Sequence, residues 1–145
     1  MQRWLVALAA MVVATLIAEK IIGIVAFYTL SSMDFTQGSE SAMAALQRVQ
    51  NAKLFSVRLI GFVVCGFLLE RRVLLPGLVF FVGFVVWEIV ATLWHLSDRG
   101  MAVDYSALLS MQLFPWSIAF VGAMLGLLMG QFAARRVAKA EAPPD

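Results

Sequence analysis

Four ionisable residues sit inside stretches that are otherwise oily: Glu19 and Lys20 in the first apolar run, Arg58 in the second and Glu88 in the third. A charge in a bilayer interior costs about 3 kcal/mol or more unless it is paired or wetted, so residues of this kind mark a candidate site. The chemistry open to them is proton exchange, ion pairing or the binding of a polar solute. Two acids and two bases nearly cancel, which is how buried charge is normally tolerated.

The third run adds a polar stripe. Glu88, Thr92 and His95 follow i, i+4, i+7 spacing and so line one helix face leading from mid-membrane toward the exterior, as the wall of a wet cavity or proton route would. Gln112 in the fourth run enters at a comparable depth, and Pro115, three positions later, frees the carbonyl of Met111 and gives a reason for a kink. Counted from the outer helix ends at about 1.5 Å per residue, Arg58 lies about 8 Å deep, Glu88 about 12 Å and Glu19 about 17 Å. Glu19, Lys20, Arg58, Glu88, Thr92, His95 and Gln112 therefore form the candidate ligand or proton site, in a cavity expected to open outward. Glu19 shares its helix face with Thr15, Gly23 and Ala26, whereas Lys20 shares its own with Leu16, Ile24 and Phe27, so Glu19 is the better placed for the interior. Three roles fit the charges: a static ion network that fixes helix register with Lys20 snorkelling to an interface, a ligand or proton site, or a contact with a partner helix.

Other chemistry finds little footing. His95 is the single histidine, which excludes paired-imidazole haem ligation within one chain and argues against zinc. Cys65 is the single cysteine, so neither an internal disulfide nor a thiolate cluster is available, and a small buried apolar role is expected. Ser-His-Asp, P-loop and dinucleotide fingerprints are missing, and the Gly61–Gly66 segment has no phosphate-binding context. The reading is of a protein that is not an enzyme and needs no cofactor.

The elements that carry these residues follow from composition. With 62% hydrophobic and 14% charged residues in 145, and a mean hydropathy of +0.90, the solvent must be lipid, since soluble domains carry charge on about a quarter of their residues. Lipid-exposed backbone must satisfy its own hydrogen bonds, so the expected fold class is all-α: a polytopic four-transmembrane-helix bundle in one domain, 1–135. The spans read as about Trp4–Leu30, Leu54–Leu69, Val73–Leu96 and Ala107–Ala133. The second is short, but Ser41–Lys53 is rich in Ala, Leu, Gln and Arg, so its helix is expected to begin in the outer connection 31–53 and run in continuously, capped at Ser39 or Ser41. The tight Glu70-Arg71-Arg72 connection makes the second and third spans an antiparallel hairpin. Pro76 sits near the start of the third span, where a missing N–H is cheap. Residues 136–145 form a tail, expected to be disordered from Ala140 on.

Met1-Gln2-Arg3 and the run Trp4–Ala18 imitate a secretory signal peptide. Leu16, however, stands where a small residue should precede the cleavage site, and the apolar run resumes to Leu30, so an uncleaved first span is expected. Arg3, Arg71, Arg72, Arg135, Arg136 and Lys139 fall on one side against Arg48, Lys53 and Arg99 on the other. Six to three favours both termini in the cytoplasm of a bacterial inner membrane. This basic excess sits at helix ends and sets topology, so no nucleic-acid partner is expected. Trp4, Tyr28, Trp94 and Tyr105 lie near span ends as interfacial anchors do. Glu19 and Glu88 occupy similar depths in helices running the same way, a faint internal repeat.

The fourth span carries Gly122, Gly126 and Gly130 at i+4 intervals, extended by Ala119. Small residues so spaced form a flat groove for close helix contact, either inside the bundle against the first or second span or at a homo-oligomer or larger-complex interface.

Leu16–Gly23 (LIAEKIIG) resembles the membrane-embedded glutamate segment of the small multidrug transporters, over eight residues. Lys20 beside the acid, Glu88 and the long outer connection depart from that pattern, and the chain is assigned to no family. The expectation is a small inner-membrane protein that binds or moves a proton or small solute at an outward-opening polar site. The alternative is a non-catalytic accessory or assembly subunit of a larger membrane complex.

Overall fold

A computed structural model of the protein describes residues 2–32, 39–69, 74–98 and 104–140. Four helices account for nearly all of them: α1 (Gln2–Ser31), α2 (Ser39–Leu69), α3 (Leu74–Asp98) and α4 (Tyr105–Ala140). The fold is an all-α four-helix bundle, and all four helices are long and apolar enough to cross a membrane. Their outward faces are lined with exposed residues such as Ile17, Phe27, Val86 and Leu113, the reverse of a soluble domain and the expected face toward lipid.

Two helices run well past the apolar spans that they carry. α2 starts at Ser39, as the Ala- and Leu-rich outer segment predicts, and at about 1.5 Å per residue its 31 residues exceed the roughly 30 Å hydrocarbon layer. α4 has 36 residues, is unbroken at Pro115 and continues to Ala140, so 136–140 are helical rather than tail. The reason is local: Ala, Arg, Val and Lys are helix-compatible, and nothing breaks the helix before Pro143. The call of a disordered tail from Ala140 fails at its first residue, and 141–145 lie outside the described residues. So do Glu70, Arg71, Arg72 and Val73, including the first residue of the expected third span.

α4 begins on a built cap. Asp104 Oδ1 accepts from the Ser106 hydroxyl at 2.7 Å and from the Ser106 and Ala107 N–H groups at 3.0 and 3.2 Å. Those donors replace the missing intrahelical partners of the first turn, and together they hold the exposed Asp104 carboxyl below its ordinary range. The stabilisation is therefore present at neutral pH and lost as pH falls through that lowered value.

Packing is uneven. α2 is the central helix, lying against α1 on one side and most closely against α4 on the other, while α3 reaches α2 and α4 chiefly through side chains. On α4, a Cβ added at Gly122 would sit 2.7 Å from the Phe55 carbonyl oxygen, and at Gly126 and Gly130 it would land on the carbonyls of Leu59 and Val63. The three pairs share one offset, so α2 and α4 run parallel in a glycine-lined seam, as an up-down-up-down chain requires. α2 returns the contact with Gly66, whose missing side chain admits the Leu127 backbone. It turns Gly61 toward α1, where Thr15 and the Met11 carbonyl fill the space. α1 and α2 are antiparallel. α2 and α3 are antiparallel too, as the hairpin expectation has it, with few close backbone approaches between them.

The core is small and aromatic. Phe62 packs edge-on to Phe81, and Phe81 to Phe120, with Met11, Cys65, Ala123 and Leu127 around them. Pro76 and Cys65 are fully buried.

Candidate functional site

α1 and α3 hardly approach each other, and the space between them is a cleft of about 890 Å³ with α2 and α4 as its back wall. Glu19, Arg58, Glu88, Thr92, His95 and Gln112 all line it. Six of the seven residues singled out in the sequence thus share one cavity, drawn from all four helices.

The centre of the site is Arg58. Its position on α2 between the aromatic core and the Lys53 turn leaves it 7% exposed, the one buried charged residue among those described. Nη2 donates to Glu88 Oε1 at 3.3 Å, and the guanidinium carbon Cζ lies over the Phe84 ring, 3.3 Å from its centroid. The ring belongs to the same face of α3 as Glu88, one turn earlier, so α3 offers the arginine an apolar platform and a counter-charge together. Glu88 is also held from the other side, for Trp116 Nε1 on α4 donates to Oε2 at 3.1 Å. This one carboxylate ties α3 to both α2 and α4, in place of the backbone contacts that α3 lacks.

Thr92 turns its hydroxyl back to the Glu88 carbonyl at 2.8 Å, which satisfies the donor locally and leaves Thr92 as a wall of the cleft. His95 lies beyond it, exposed. Glu19 is half exposed, and its nearest cation is Lys53 on α2 at 3.8 Å, while it also acts electrostatically on Arg58 across the cleft. α1 and α3 each send an acid to a base on α2, Glu19 to Lys53 and Glu88 to Arg58.

Lys20 is the correction. It is exposed and outside the cleft lining, because Thr15 and Gly23 mark the face of α1 that meets α2, and Lys20 points about 100° away from Glu19. Lys53, read from the sequence only as a loop charge that orients the chain, is the cation that pairs with Glu19. Trp116 and Phe84 were missed as well. The signal for Trp116 was available: it stands at i+4 from Gln112 and just before Ala119, on the inward stripe that continues into Gly122 and Gly126. The cleft also differs from a cavity opening at one face, since Val12, Leu16, Val79 and Trp87 line it and are each about half exposed or more. It opens sideways, between α1 and α3.

Ala119, Gly122, Gly126 and Gly130, the small-residue groove, are all buried inside the bundle, the three glycines against α2. No family model, no curated protein and no solved structure matches the chain.

Proposed function

We propose that the protein is a small membrane carrier or binding protein that holds a small solute in this cleft and exchanges a proton at Glu88. One observation carries the reading. The Arg58–Glu88 pair is not sealed in packing: Glu88 keeps 34% of its side chain accessible in a cleft of about 890 Å³, within the roughly 300–1,000 Å³ range of small-molecule pockets. A purely structural ion network gains nothing from standing beside empty volume.

The chemistry follows from what Glu88 holds. Ionised, its two oxygens accept from Arg58 Nη2 and Trp116 Nε1 and hold the guanidinium against α3. Protonated, the carboxyl loses most of its pull on the guanidinium, which is then free to donate to a solute. Proton uptake and solute binding are thereby linked through one arginine. No bond is made or broken in the solute, so the reading is non-catalytic.

Reconstituted vesicles compared across pH test this. Glu88→Gln keeps shape and much of the hydrogen bonding, so fold and oligomeric state should persist while pH-dependent binding or flux is abolished. Identical pH-linked flux in mutant and wild type would end the reading.

A bacterial inner membrane with both termini in the cytoplasm suits the six-to-three Lys/Arg bias. Labelling of Ser39→Cys in intact cells supports that orientation, and labelling only after permeabilisation reverses it. The competing function, an accessory subunit of a larger complex, draws on how little of α1 and α3 is buried: 17% of each apolar window, against 33% for α2 and α4. A defined partner recovered with the protein from native membranes would favour it.

A further inference from the structure

Glycine inside a helix is destabilising relative to alanine, and at most contact positions here the reason for it is visible. At Gly61, Gly66, Gly122, Gly126 and Gly130 an added Cβ would strike a neighbouring helix. At Gly83, in mid α3, nothing lies within 4 Å of that position. Gly83 lines the cleft, one turn beyond Val79 and one turn before Trp87, so it makes a notch in the apolar wall that α3 presents to α1. The opposite wall, Val12 and Leu16, is apolar too, and both walls reach the surface on the side that faces lipid.

Arg58, which lines the same cleft, carries a donor without an acceptor. Arg58 Nε is buried and makes no hydrogen bond, and of the five N–H donors on a guanidinium the Glu88 bond is the one that a described residue accepts. A buried unpaired donor is costly, and more so in an apolar medium. Charge, by contrast, is already balanced, with Arg58 against Glu88 and Lys53 against Glu19. An anionic head would compete with Glu88 for the guanidinium and displace a counter-charge already in place. A cationic head would bring Arg58 no acceptor and would face its charge.

We infer that the cleft receives, sideways from the bilayer between α1 and α3, an amphiphile whose head is an uncharged carbonyl and whose apolar body lies in the notch at Gly83. The carbonyl oxygen accepts from the Arg58 guanidinium, and the pair with Glu88 need not break. This rests on the reading of the cleft as a binding site and names the class of molecule that fills it.

Photolabelling of the full chain in lipid nanodiscs tests the inference with three probes that share one diazirine-bearing acyl chain and differ in the head: a glycerol monoester, an alkyl sulfonate and a quaternary ammonium. The monoester should label Val12, Leu16 and Val79 in preference to the outward-facing Val13 and Val86. It should do so about tenfold better than the ammonium, which offers no acceptor where a hydrogen bond from a charged donor is worth a decade or more in affinity, and better than the sulfonate, whose charge would stand beside Glu88. Gly83→Leu fills the notch and should lower that labelling about tenfold, while Val82→Leu on the neighbouring face should leave it unchanged. Equal labelling of all lipid-facing positions, indifference to Gly83→Leu, or a preference for the sulfonate or the ammonium would each overturn the inference. Since labelling is read without transport, its failure alongside intact Glu88-dependent flux removes the amphiphile and leaves the proton-linked site. Failure of both removes the cleft as a binding site.

Discussion

α2 meets α4 through bare backbone and meets α3 through an ion pair over an aromatic ring, so one helix is joined to two of its neighbours by opposite means. In the seam with α4 the glycines bring Cα atoms against carbonyl oxygens, and each such Cα–H···O contact is worth at most about 1 kcal/mol, so the seam depends on repetition and fit. Toward α3 the backbones stay apart, and Arg58, Glu88 and Trp116 span the gap with side chains, beside open volume. Gly126 and Gly83 show what the difference means. The same residue type closes space in one place and preserves it in the other.

The sharpest way to break this comparison is to place one side chain in both settings. Gly126→Leu must push α2 and α4 apart at the Leu59 carbonyl, and it should destabilise the bundle by more than about 3 kcal/mol, beyond the usual cost of overpacking. Gly83→Leu enters empty space and replaces a poor helix former, so it should be neutral or raise stability by up to about 1 kcal/mol. Thermal unfolding in detergent ranks the two, and comparable losses would mean that the cleft is not open space.

The next effect lies in the ion pair. Arg58→Leu leaves Glu88 facing apolar surroundings without its counter-charge, and breaking a buried pair costs about 3–5 kcal/mol, here reduced to about 2–3 because Glu88 is partly accessible. Adding Glu88→Gln should restore roughly half of that loss, so the double mutant would be more stable than Arg58→Leu alone. Strictly additive losses in unfolding experiments would show that the two side chains are uncoupled.

Smallest is Trp116→Phe, which keeps the ring but removes the N–H that reaches Glu88. A loss of about 1 kcal/mol is expected for a half-accessible hydrogen bond to a carboxylate, with helix content unchanged by circular dichroism. A loss as large as that of Gly126→Leu would place Trp116 in the structural core rather than at the edge of the cleft.

The four spans and their alternation are legible in the sequence because lipid imposes one rule on every segment, and the i, i+4 spacing of Gly122, Gly126 and Gly130 announces a close contact wherever it falls. The polar stripe Glu88, Thr92, His95 is legible for the same reason, since helical periodicity alone puts it on one face. Partner choice is not periodic. Lys20 and Lys53 are equally plausible companions for Glu19 until the α1–α2 register is known, and that register depends on Gly61 admitting Thr15. Trp116 and Phe84 escaped notice because an aromatic residue in an apolar run looks like any other, and only the placement of Glu88 turns one into a donor and the other into a platform. The C-terminal boundary of α4 falls in the sequence at the end of the apolar run, but a helix ends where its hydrogen bonds and caps end.

The glycine seam also bears on how the protein is made. Its contacts join residues 61 to 67 positions apart, so the closest interface in the bundle forms only after α4 has entered the membrane. Until then the α2 carbonyls at Phe55, Leu59 and Val63 face the bilayer beside an uncovered Gly66, and Trp116 is not yet there to share Glu88 with Arg58. The nascent chain passes through a three-helix intermediate whose most adhesive surface is exposed to every other small-residue helix nearby. Biogenesis, rather than the finished bundle, is where an insertion chaperone or a quality-control protease would find this protein vulnerable.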